Sequence, residues 1–548
     1  MKTPPPKNAK LLKLLALLAF AAACGPGEVS VVSGIDDEDA LDQAFSSSRA
    51  TQLDFTMQLS LESAGSVWNA RSLIDAQMLY TMGHLNGDDG VGRLDKVSIT
   101  NIKTEVLANG RSKVSYTVKM PVAWGSKTNL PTSYDFVLPR AADYSGLEAF
   151  TTKYAHSCVD FGAHDVDSGS YWYYYRPFTG GCAFGDEDVV RVTAQVALST
   201  ENTTGRYPEY DKVWEDGVLN VVAVFGKYED GATSSGDAGI AAFNAFVRSV
   251  RSLLASFTLV TVPASVPTSP GVANPDVSFT ATLPDGRKIV ITALLVDNVR
   301  STTAAFDARY EALSTRADLI AYNGHAGLGS NVRALARKGK WVKGQYAVFL
   351  MNGCDTFAYV DGSMAQTRAL INTDDPTGTK YMEIVTNAMP AYFHEMTDTT
   401  MALVKGLMAY AKPQTYEQMF EAVDPNQVIV VTGEEDNAFV PGGTPPPTGW
   451  SGMKESAVLT TAQLARFVTP TLKAGKYVFT LTGTGDAGLF IRAGLEPTTR
   501  TYDCRGNVKN SSNETCTLTL SAAAPIHVML RGYAGPTATV QLIGKQAP

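Results

Sequence analysis

A cysteine and a histidine each follow an apolar run in the middle of the chain, where both residue types could do chemistry. Cys354 ends the run YAVFLMNGC, and His325 follows the run ADLIAYNG. A thiolate is a nucleophile, and a neighbouring imidazole can generate it or protonate the leaving amine. The pair therefore predicts peptide-bond hydrolysis with Cys354 as the nucleophile and His325 as its partner.

The number of cysteines bears on whether the Cys354 thiol is free. The chain has six cysteines, and in an exported protein neighbouring cysteines tend to form disulfides. Two bridges are expected, Cys158–Cys182 around an aromatic-rich loop and Cys504–Cys516 around a polar one. Once Cys24 is assigned to a lipid (below), Cys354 remains as a reactive thiol. The alternative is a buried, inert cysteine; the predicted strand end favours a presented side chain.

The first 24 residues have the pattern of a targeting segment. Four lysines precede the apolar residues 14–23, a run too short to span a bilayer, and three alanines precede Cys24. This arrangement resembles a bacterial lipoprotein signal, which implies that Cys24 is acylated and begins the mature protein. A plain secretory signal is the alternative. The expected location is the cell envelope, with a lipid anchor in the outer membrane or cell surface, or release from it.

Length and charge limit the remaining classes of function. The chain has 548 residues, enough for about three domains. Its net charge is −8, and no basic cluster follows the signal region. A nucleic-acid partner is therefore not expected.

The elements that would position the dyad lie in residues 217–437, where apolar strands alternate with amphipathic helices. This rhythm predicts an α/β domain with a mostly parallel sheet, and sites in such sheets lie beyond the carboxyl ends of the strands. Neighbouring strands are about 4.8 Å apart, so His325 and Cys354 would be within reach of each other. The glycines around them leave backbone N–H groups free, and those of Ala326 and Cys354 are candidate oxyanion donors.

The two motifs AYNGHAGLG and VFLMNGCDT resemble those of the caspase–gingipain–legumain group of cysteine peptidases. That group has a histidine–glycine motif after one sheet strand and a small-residue–cysteine motif after the next. The resemblance implies a caspase-like α/β/α sandwich, a Cys–His dyad and a protein or peptide substrate. Two positions depart from the pattern: Ala326 stands where glycine is usual, and Gly353 where alanine is commoner.

Residues 25–50 are expected to be a polar tether, and residues 51–208 an α+β domain of unknown role. His156 and His164, with three nearby aspartates, suggest a metal site. Their spacing favours a polar loop closed by the disulfide instead. The aromatic residues 171–175 alternate as a strand would, with one packed face.

The C-terminal part follows a Pro/Gly-rich linker, residues 438–455, and residues 456–548 read as short strands of a β-sandwich. The stretch GDAGLFIRAGLEPTTRTYDCR, followed by NETC and HVMLRGY, resembles the bacterial pre-peptidase C-terminal domain. The resemblance implies association with an exported peptidase, removal of the domain by self-processing, and pairing of Cys504 with Cys516. A structural calcium at Asp486 is considered, although a turn-forming aspartate fits better; no other cofactor or metal is expected.

Together these features predict an exported, lipid-anchored cysteine endopeptidase of three domains. The alternative is a non-catalytic surface lipoprotein that uses the same scaffold and the β-sandwich for adhesion, or to bind carbohydrate or protein.

Overall fold

The computed structural model describes residues 44–163, 166–433, 437, 439–441, 452–469, 472, 475–506, 508–520, 524–533, 535 and 537–546. The chain divides between Pro441 and Gly442 into two compact units. This boundary falls within the predicted linker. The predicted signal segment, its Cys24 and most of the linker lie outside the described residues.

The first unit begins with a two-residue strand, β1 (Phe45–Ser46), which belongs to a sheet formed much later in the chain. A six-stranded antiparallel sheet with helices follows, and we call this part the N-terminal lobe. Its elements are β2 (Thr51–Ser63), α1 (Ala70–Asn86), β3 (Gly90–Gly92), β4 (Ser98–Val106), β5 (Ser112–Trp124), β6 (Ser133–Pro139), α2 (Tyr144–Tyr154), α3 (Tyr171–Tyr174) and β7 (Val189–Leu198).

The second part of the first unit, the α/β lobe, is built on a nine-stranded sheet in the order β1-β15-β14-β13-β12-β8-β11-β10-β9. Its elements are α4 (Tyr210–Val213), β8 (Val218–Gly226), α5 (Ala238–Leu254), β9 (Thr258–Val262), β10 (Asp276–Thr282), β11 (Lys288–Val296), α6 (Ala304–Ser314), β12 (Leu319–Asn323), α7 (Ser330–Lys338), β13 (Ala347–Asn352), α8 (Thr356–Tyr359), α9 (Ser363–Ala369), β14 (Met382–Asn387), α10 (Met396–Met408), α11 (Tyr416–Phe420) and β15 (Ile429–Thr432).

The central strands β11, β8, β12, β13 and β14 are parallel, and β15 and β10 flank them in the antiparallel direction. Helices cover both faces, which explains why β8 and β13 are continuous apolar runs. One face packs against α5, α10 and α11, and the other against α6 and α7. The α/β architecture with a mostly parallel sheet is what the sequence predicts for this region; whether it is caspase-like stays a prediction.

Local sequence signals account for much of this lobe. The Asp237 carboxylate accepts a hydrogen bond from the Ile240 N–H and caps α5, whose apolar face, including Phe243 and Val247, is buried. The turn between β10 and β11 contains Asp285 and Gly286, and Gly286 has a positive φ of 89°. The cap determines where the helix begins, and the turn determines which two strands pair.

The two lobes share one hydrophobic core. The cluster that contains Phe55 and Tyr175 of the N-terminal lobe continues through Phe357 to Tyr322 and Phe349 of the sheet. Phe45 of β1 packs edge-on against Phe357, with ring centroids 5.9 Å apart. The sequence pattern places residues 44–50 in the polar tether. In the structure, Phe45 and Ala50 of this stretch belong to the shared core.

The aromatic residues 171–175 do not form the predicted strand. Tyr171 to Tyr174 form the short helix α3, and all five rings are buried. Tyr171 and Tyr175 pack edge-on against Tyr80 of α1. The strand prediction is wrong because contacts with α1 and α2, distant in sequence, override the local alternation of side chains.

The second unit is a sandwich of two four-stranded sheets, β16-β23-β18-β21 and β17-β22-β19-β20. Its strands are β16 (Met453–Leu459), β17 (Leu464–Val468), β18 (Gly475–Gly483), β19 (Ala487–Ala493), β20 (Cys504–Arg505), β21 (Glu514–Leu520), β22 (Ile526–Gly532) and β23 (Ala538–Gln546). Its own core includes Phe479, Leu489 and Leu530. The structure contains both predicted disulfides, one in each unit. Among the described residues, no helix is long and apolar enough to cross a membrane.

Candidate functional site

The structure places His325 and Cys354 just beyond the carboxyl ends of two adjacent parallel strands. Asn323 at the end of β12 pairs in register with Asn352 at the end of β13, and each predicted site residue lies two positions further on. The Asn352 side-chain amide donates to the Asn323 Oδ1 at 2.9 Å, and the Thr400 hydroxyl donates to the same oxygen at 2.8 Å. This buried network fixes the two strand ends against each other.

Gly353 allows the two loops beyond the strands to touch. A Cβ atom at this position would lie 2.6 Å from the Gly324 carbonyl oxygen, a distance that real Cβ contacts essentially never show. The glycine before the cysteine is therefore required by the close approach of the backbone of one loop to the other.

Cys354 is buried rather than presented. Its side chain is part of the core, only 1% of the residue is exposed, and its Sγ atom lies 3.6 Å from the Ala391 carbonyl oxygen. It is a free cysteine. A nucleophile must reach solvent or substrate, and this thiol does not.

The His325 imidazole is half-buried between two aromatic rings. The ring centroids of Tyr228 and Phe393 lie 5.1 and 5.2 Å from that of the imidazole. Its Nε2 atom is 3.0 Å from the Tyr228 carbonyl oxygen, which can only accept, so Nε2 carries the proton. The buried Nδ1 atom has no hydrogen-bond partner among the described residues, so the imidazole and the thiol are not hydrogen-bonded to each other.

Asp355, which the sequence analysis did not single out, joins the two lobes. Its carboxylate is fully buried and accepts hydrogen bonds from the Asn86 side-chain amide and the Tyr173 hydroxyl, each at 2.8 Å. Burial raises the pKa of Asp355 to about 7, although the bond from Tyr173, the charge of Arg176 and the bond from Asn86 each lower it. A polar residue directly after a strand-end cysteine was the only sequence signal; its partners are 182 and 269 residues away.

A cavity of about 580 Å³ lies between the lobes, next to the Asp355 junction. The loop after α1, the loop closed by the Cys158–Cys182 disulfide and the loops that flank α10 and α11 supply its walls. The wall residues that carry charge, hydrogen-bonding groups or exposed rings include Asp88, Asp89, Asp160, Phe161, Arg176, Phe178, Tyr392 and Asn426. This volume is in the usual range for a ligand site.

One wall of the cavity carries a chain of hydrogen bonds that begins at a buried histidine. The Val137 N–H donates to the His84 Nε2 at 3.2 Å, so the Nδ1 carries the proton and donates to the Tyr134 hydroxyl at 3.0 Å. That hydroxyl donates to Asp88 at 2.6 Å. Burial lowers the pKa of His84 to about 3, so the ring is neutral and the Asp88 carboxylate is the charged end of the chain, at the cavity surface.

Two of the aspartates that suggested a metal site near the first disulfide have other partners. Asp160 forms an ion pair with Arg176 at 3.0 Å, and Asp167 accepts from the N–H groups of Gly169 and Ser170 within its own turn. His164 and Asp165 lie outside the described residues. Within the described part of the chain, no three His, Cys, Asp or Glu side chains are placed to hold a metal ion.

No known protein-family profile matches the chain. Several curated bacterial proteases match short segments. The chain is 36% identical over 103 residues to a neutral protease of Vibrio proteolyticus, a match that spans 17% of this chain and 16% of that protein. A zinc metalloprotease of Helicobacter pylori is 37% identical over 98 residues, 17% of this chain and 38% of the relative. An alkaline serine exoprotease of Vibrio alginolyticus is 45% identical over 51 residues, 9% of each protein.

The chain thus spans well under half the length of the curated relatives it matches. Among solved structures, the C-terminal 100-residue fragment titled vEP C-ter 100 is 25% identical, with 15% of this chain and 82% of that chain covered and a TM-score of 0.14. A periplasmic lysozyme inhibitor of Aeromonas hydrophila is 14% identical, with 18% and 86% covered and a TM-score of 0.15.

The identification of the chain as a caspase–gingipain–legumain-like cysteine peptidase is wrong. Two of these relatives are named as metalloproteases, a virulence metalloprotease of Vibrio anguillarum and the zinc metalloprotease of Helicobacter pylori, and none of the five is named as a cysteine peptidase. The buried thiol of Cys354 and its missing hydrogen bond to His325 agree with this correction. No finding tests the oxyanion role predicted for the N–H groups of Ala326 and Cys354.

Proposed function

We propose that this chain is an exported bacterial protein that acts on protein or peptide substrates, which it binds in the cavity between the two lobes. The cavity is the observation that carries the proposal. The relatives support the substrate class, because each of the five is named as a protease. The signal-like N-terminal segment supports export.

The walls of the cavity suit a polypeptide. Phe161 and Phe178 expose their rings there, with 108% and 62% of each residue accessible, and offer contact area for apolar side chains. Asp88 and Asn426 offer hydrogen-bonding groups for the peptide backbone or for polar side chains. A polypeptide can use both kinds of contact, because its backbone hydrogen-bonds to polar groups and its apolar side chains pack against aromatic rings.

Arg176 is held in the cavity wall by bonds to neighbouring residues. Its guanidinium pairs with Asp160 and donates to the Asn86 Oδ1 at 2.9 Å and to the Gly83 carbonyl oxygen at 2.6 Å. These bonds connect the disulfide loop to the end of α1. The wall is thereby preformed, which lowers the entropy cost of binding.

The zinc that the relatives' names imply does not fit the described residues, which offer no three-ligand group. The relatives also include a serine protease, so the shared segment accompanies more than one catalytic type. We therefore assign substrate binding to the cavity and derive no bond-cleaving step through a metal.

Fluorescence anisotropy with fluorescein-labelled casein tests the proposal. Phe178→Ala and Asp88→Asn together are expected to weaken casein binding at least tenfold, because they remove an exposed ring and the charged end of the hydrogen-bond chain. Tyr144→Ala is the control, since Tyr144 is also an exposed aromatic residue, at 77%, and does not line the cavity. Casein hydrolysis is measured in parallel, with and without 1,10-phenanthroline.

Two results would overturn the proposal. If the wild-type chain neither binds nor cleaves casein, protein is not its substrate. If the double variant binds as the wild type does, the cavity is not the site.

A further inference from the structure

We propose that the outward face of the β17-β22-β19-β20 sheet in the C-terminal unit binds the surface of an anionic phospholipid membrane. The charge of this part of the chain is the first observation. The whole chain has a net charge of −8, yet residues 442–548 contain ten Lys and Arg against five Asp and Glu. Such an asymmetry between parts of one chain points to a partner of negative charge.

The register of the strands places the arginines on one face. Side chains alternate along a strand, and Leu489, Ile491, Val528 and Leu530 point into the core of the sandwich. Their neighbours therefore point outward, and this face carries Arg492 from β19, Arg505 from β20 and Arg531 from β22. We call these three residues the arginine face.

Among the described residues no carboxylate lies within ion-pair distance of the arginine face, and Glu514 interacts with Arg505 only through longer-range charge. Arg466, on the neighbouring strand β17, pairs with Glu496 at 3.1 Å, whereas Arg492, Arg505 and Arg531 have no ion pair within the part of the unit that the structure describes. The Nε atoms of Arg505 and Arg531 are buried and have no hydrogen-bond partner there.

Aromatic rings hold two of the guanidinium groups in place. Arg505 lies over the Phe490 ring, 5.0 Å from its centroid, and donates to the Tyr533 hydroxyl at 3.3 Å. Arg531 lies over the Tyr533 ring, 5.4 Å from its centroid. Guanidinium groups that are fixed and have no ion-pair partner are suited to bind phosphate oxygens through two parallel hydrogen bonds.

Exposed aliphatic side chains beside the arginines favour a lipid membrane over a soluble polyanion. Leu464 and Val468 point outward from β17 and are 44% and 54% exposed. In the register of the sheet, Leu464 lies opposite Arg531, and Val468 lies opposite His527 next to Arg492. A membrane interface takes both groups, phosphates for the arginines and the acyl boundary for the aliphatic chains, whereas a sulfated glycan would use the arginines alone.

Vesicle co-sedimentation of the full chain tests the proposal. The chain carries Cys24→Ser to prevent acylation, and the vesicles are phosphatidylcholine with or without 30% phosphatidylglycerol. Arg492→Gln, Arg505→Gln and Arg531→Gln together are expected to weaken binding to the anionic vesicles about a hundredfold, since each basic residue near an anionic membrane contributes roughly a factor of five. The corresponding lysine variant retains the charge and is expected to retain most of the binding.

The matched control removes the same charge from the other sheet, through Lys454→Gln, Lys476→Gln and Lys545→Gln, and is expected to change binding little. All variants share the N-terminal segment, so its contribution to membrane binding cancels.

Leu464→Ser with Val468→Ser is expected to weaken vesicle binding but not retention on immobilised heparin. If both triple variants lose vesicle binding equally, binding depends on net charge and not on the arginine face. If the chain is retained on heparin but does not bind vesicles, the face binds a glycan. Either result overturns the proposal.

Discussion

Asp355 is a carboxylate held between two lobes by neutral donors, and its environment has a consequence for stability. Because the pKa of Asp355 is raised to about 7 in the folded protein, the folded state binds this proton more tightly than the unfolded state does. Its contribution to stability is therefore fully present below about pH 4 and is lost as the pH rises through about 7.

Asp355→Asn is expected to remove this pH dependence. An amide can keep both contacts, with its Oδ1 accepting from Asn86 and its NH2 group donating to the Tyr173 hydroxyl oxygen. The free energy of unfolding of the variant, relative to the wild type, should therefore rise between pH 4 and pH 7 by a few kcal/mol. Urea unfolding of both proteins at several pH values measures the difference. A constant difference from pH 4 to pH 8 would mean that the carboxyl group titrates as in water.

Cys354 provides a second test at the scale of one residue. The test uses a chain with Cys24→Ser, so that Cys354 is its one thiol outside the disulfides. Since the Cys354 Sγ atom is buried, we expect no reaction with dithionitrobenzoate in the folded protein, and one equivalent per chain once guanidinium unfolds it. Adding Cys354→Ala controls for the disulfides, which should not react. Fast labelling of the folded Cys24→Ser chain would contradict the buried position.

The loops and strands show what sequence patterns can predict. The turn at Asn109 and Gly110 joins β4 to β5 and the Asp237 carboxylate caps α5, and both features depend on residues close together in the chain. The parallel pairing that places His325 and Cys354 beyond neighbouring strand ends follows from the alternation of strands and helices. The burial of Cys354 and the bonds of Asp355 do not, because they depend on residues of another lobe.

Gly353→Ala tests the close approach of the two strand-end loops. The added methyl group would meet the Gly324 carbonyl oxygen, so we expect a loss of about 1–3 kcal/mol in the free energy of unfolding. Gly180→Ala is the control, because a Cβ at Gly180 has nothing within 4 Å. Urea unfolding measures both, and equal stability of the two variants would show that the loops can separate without cost.

The Cys158–Cys182 disulfide closes the loop that forms one cavity wall. Its replacement by two serines is expected to cost about 3 kcal/mol of stability and to weaken casein binding, because the wall with Phe161 and Phe178 loses its closure. The double serine variant of Cys504 and Cys516 serves as the comparison and should leave casein binding unchanged. Anisotropy titrations of both variants measure the effect.

At the scale of the whole molecule, the two units have separate cores, and we expect calorimetry to resolve two unfolding transitions. Leu489→Ala in the C-terminal unit should lower only one of them, by about 10 °C or more. Leu350→Ala, equally buried in β13, should lower only the other. A single transition that both variants shift would indicate one cooperative molecule.

Strand β1 fixes the start of the described chain to the edge of the nine-stranded sheet. Phe45 and Ser46 are hydrogen-bonded to β15 at the edge of the nine-stranded sheet. If Cys24 carries a lipid, only the stretch from Cys24 to Phe45 separates that sheet edge from the bilayer, and such a stretch spans at most about 70 Å when fully extended. The lobes and their cavity would then stay close to the membrane surface, and the protein could act only on substrates that come to that surface.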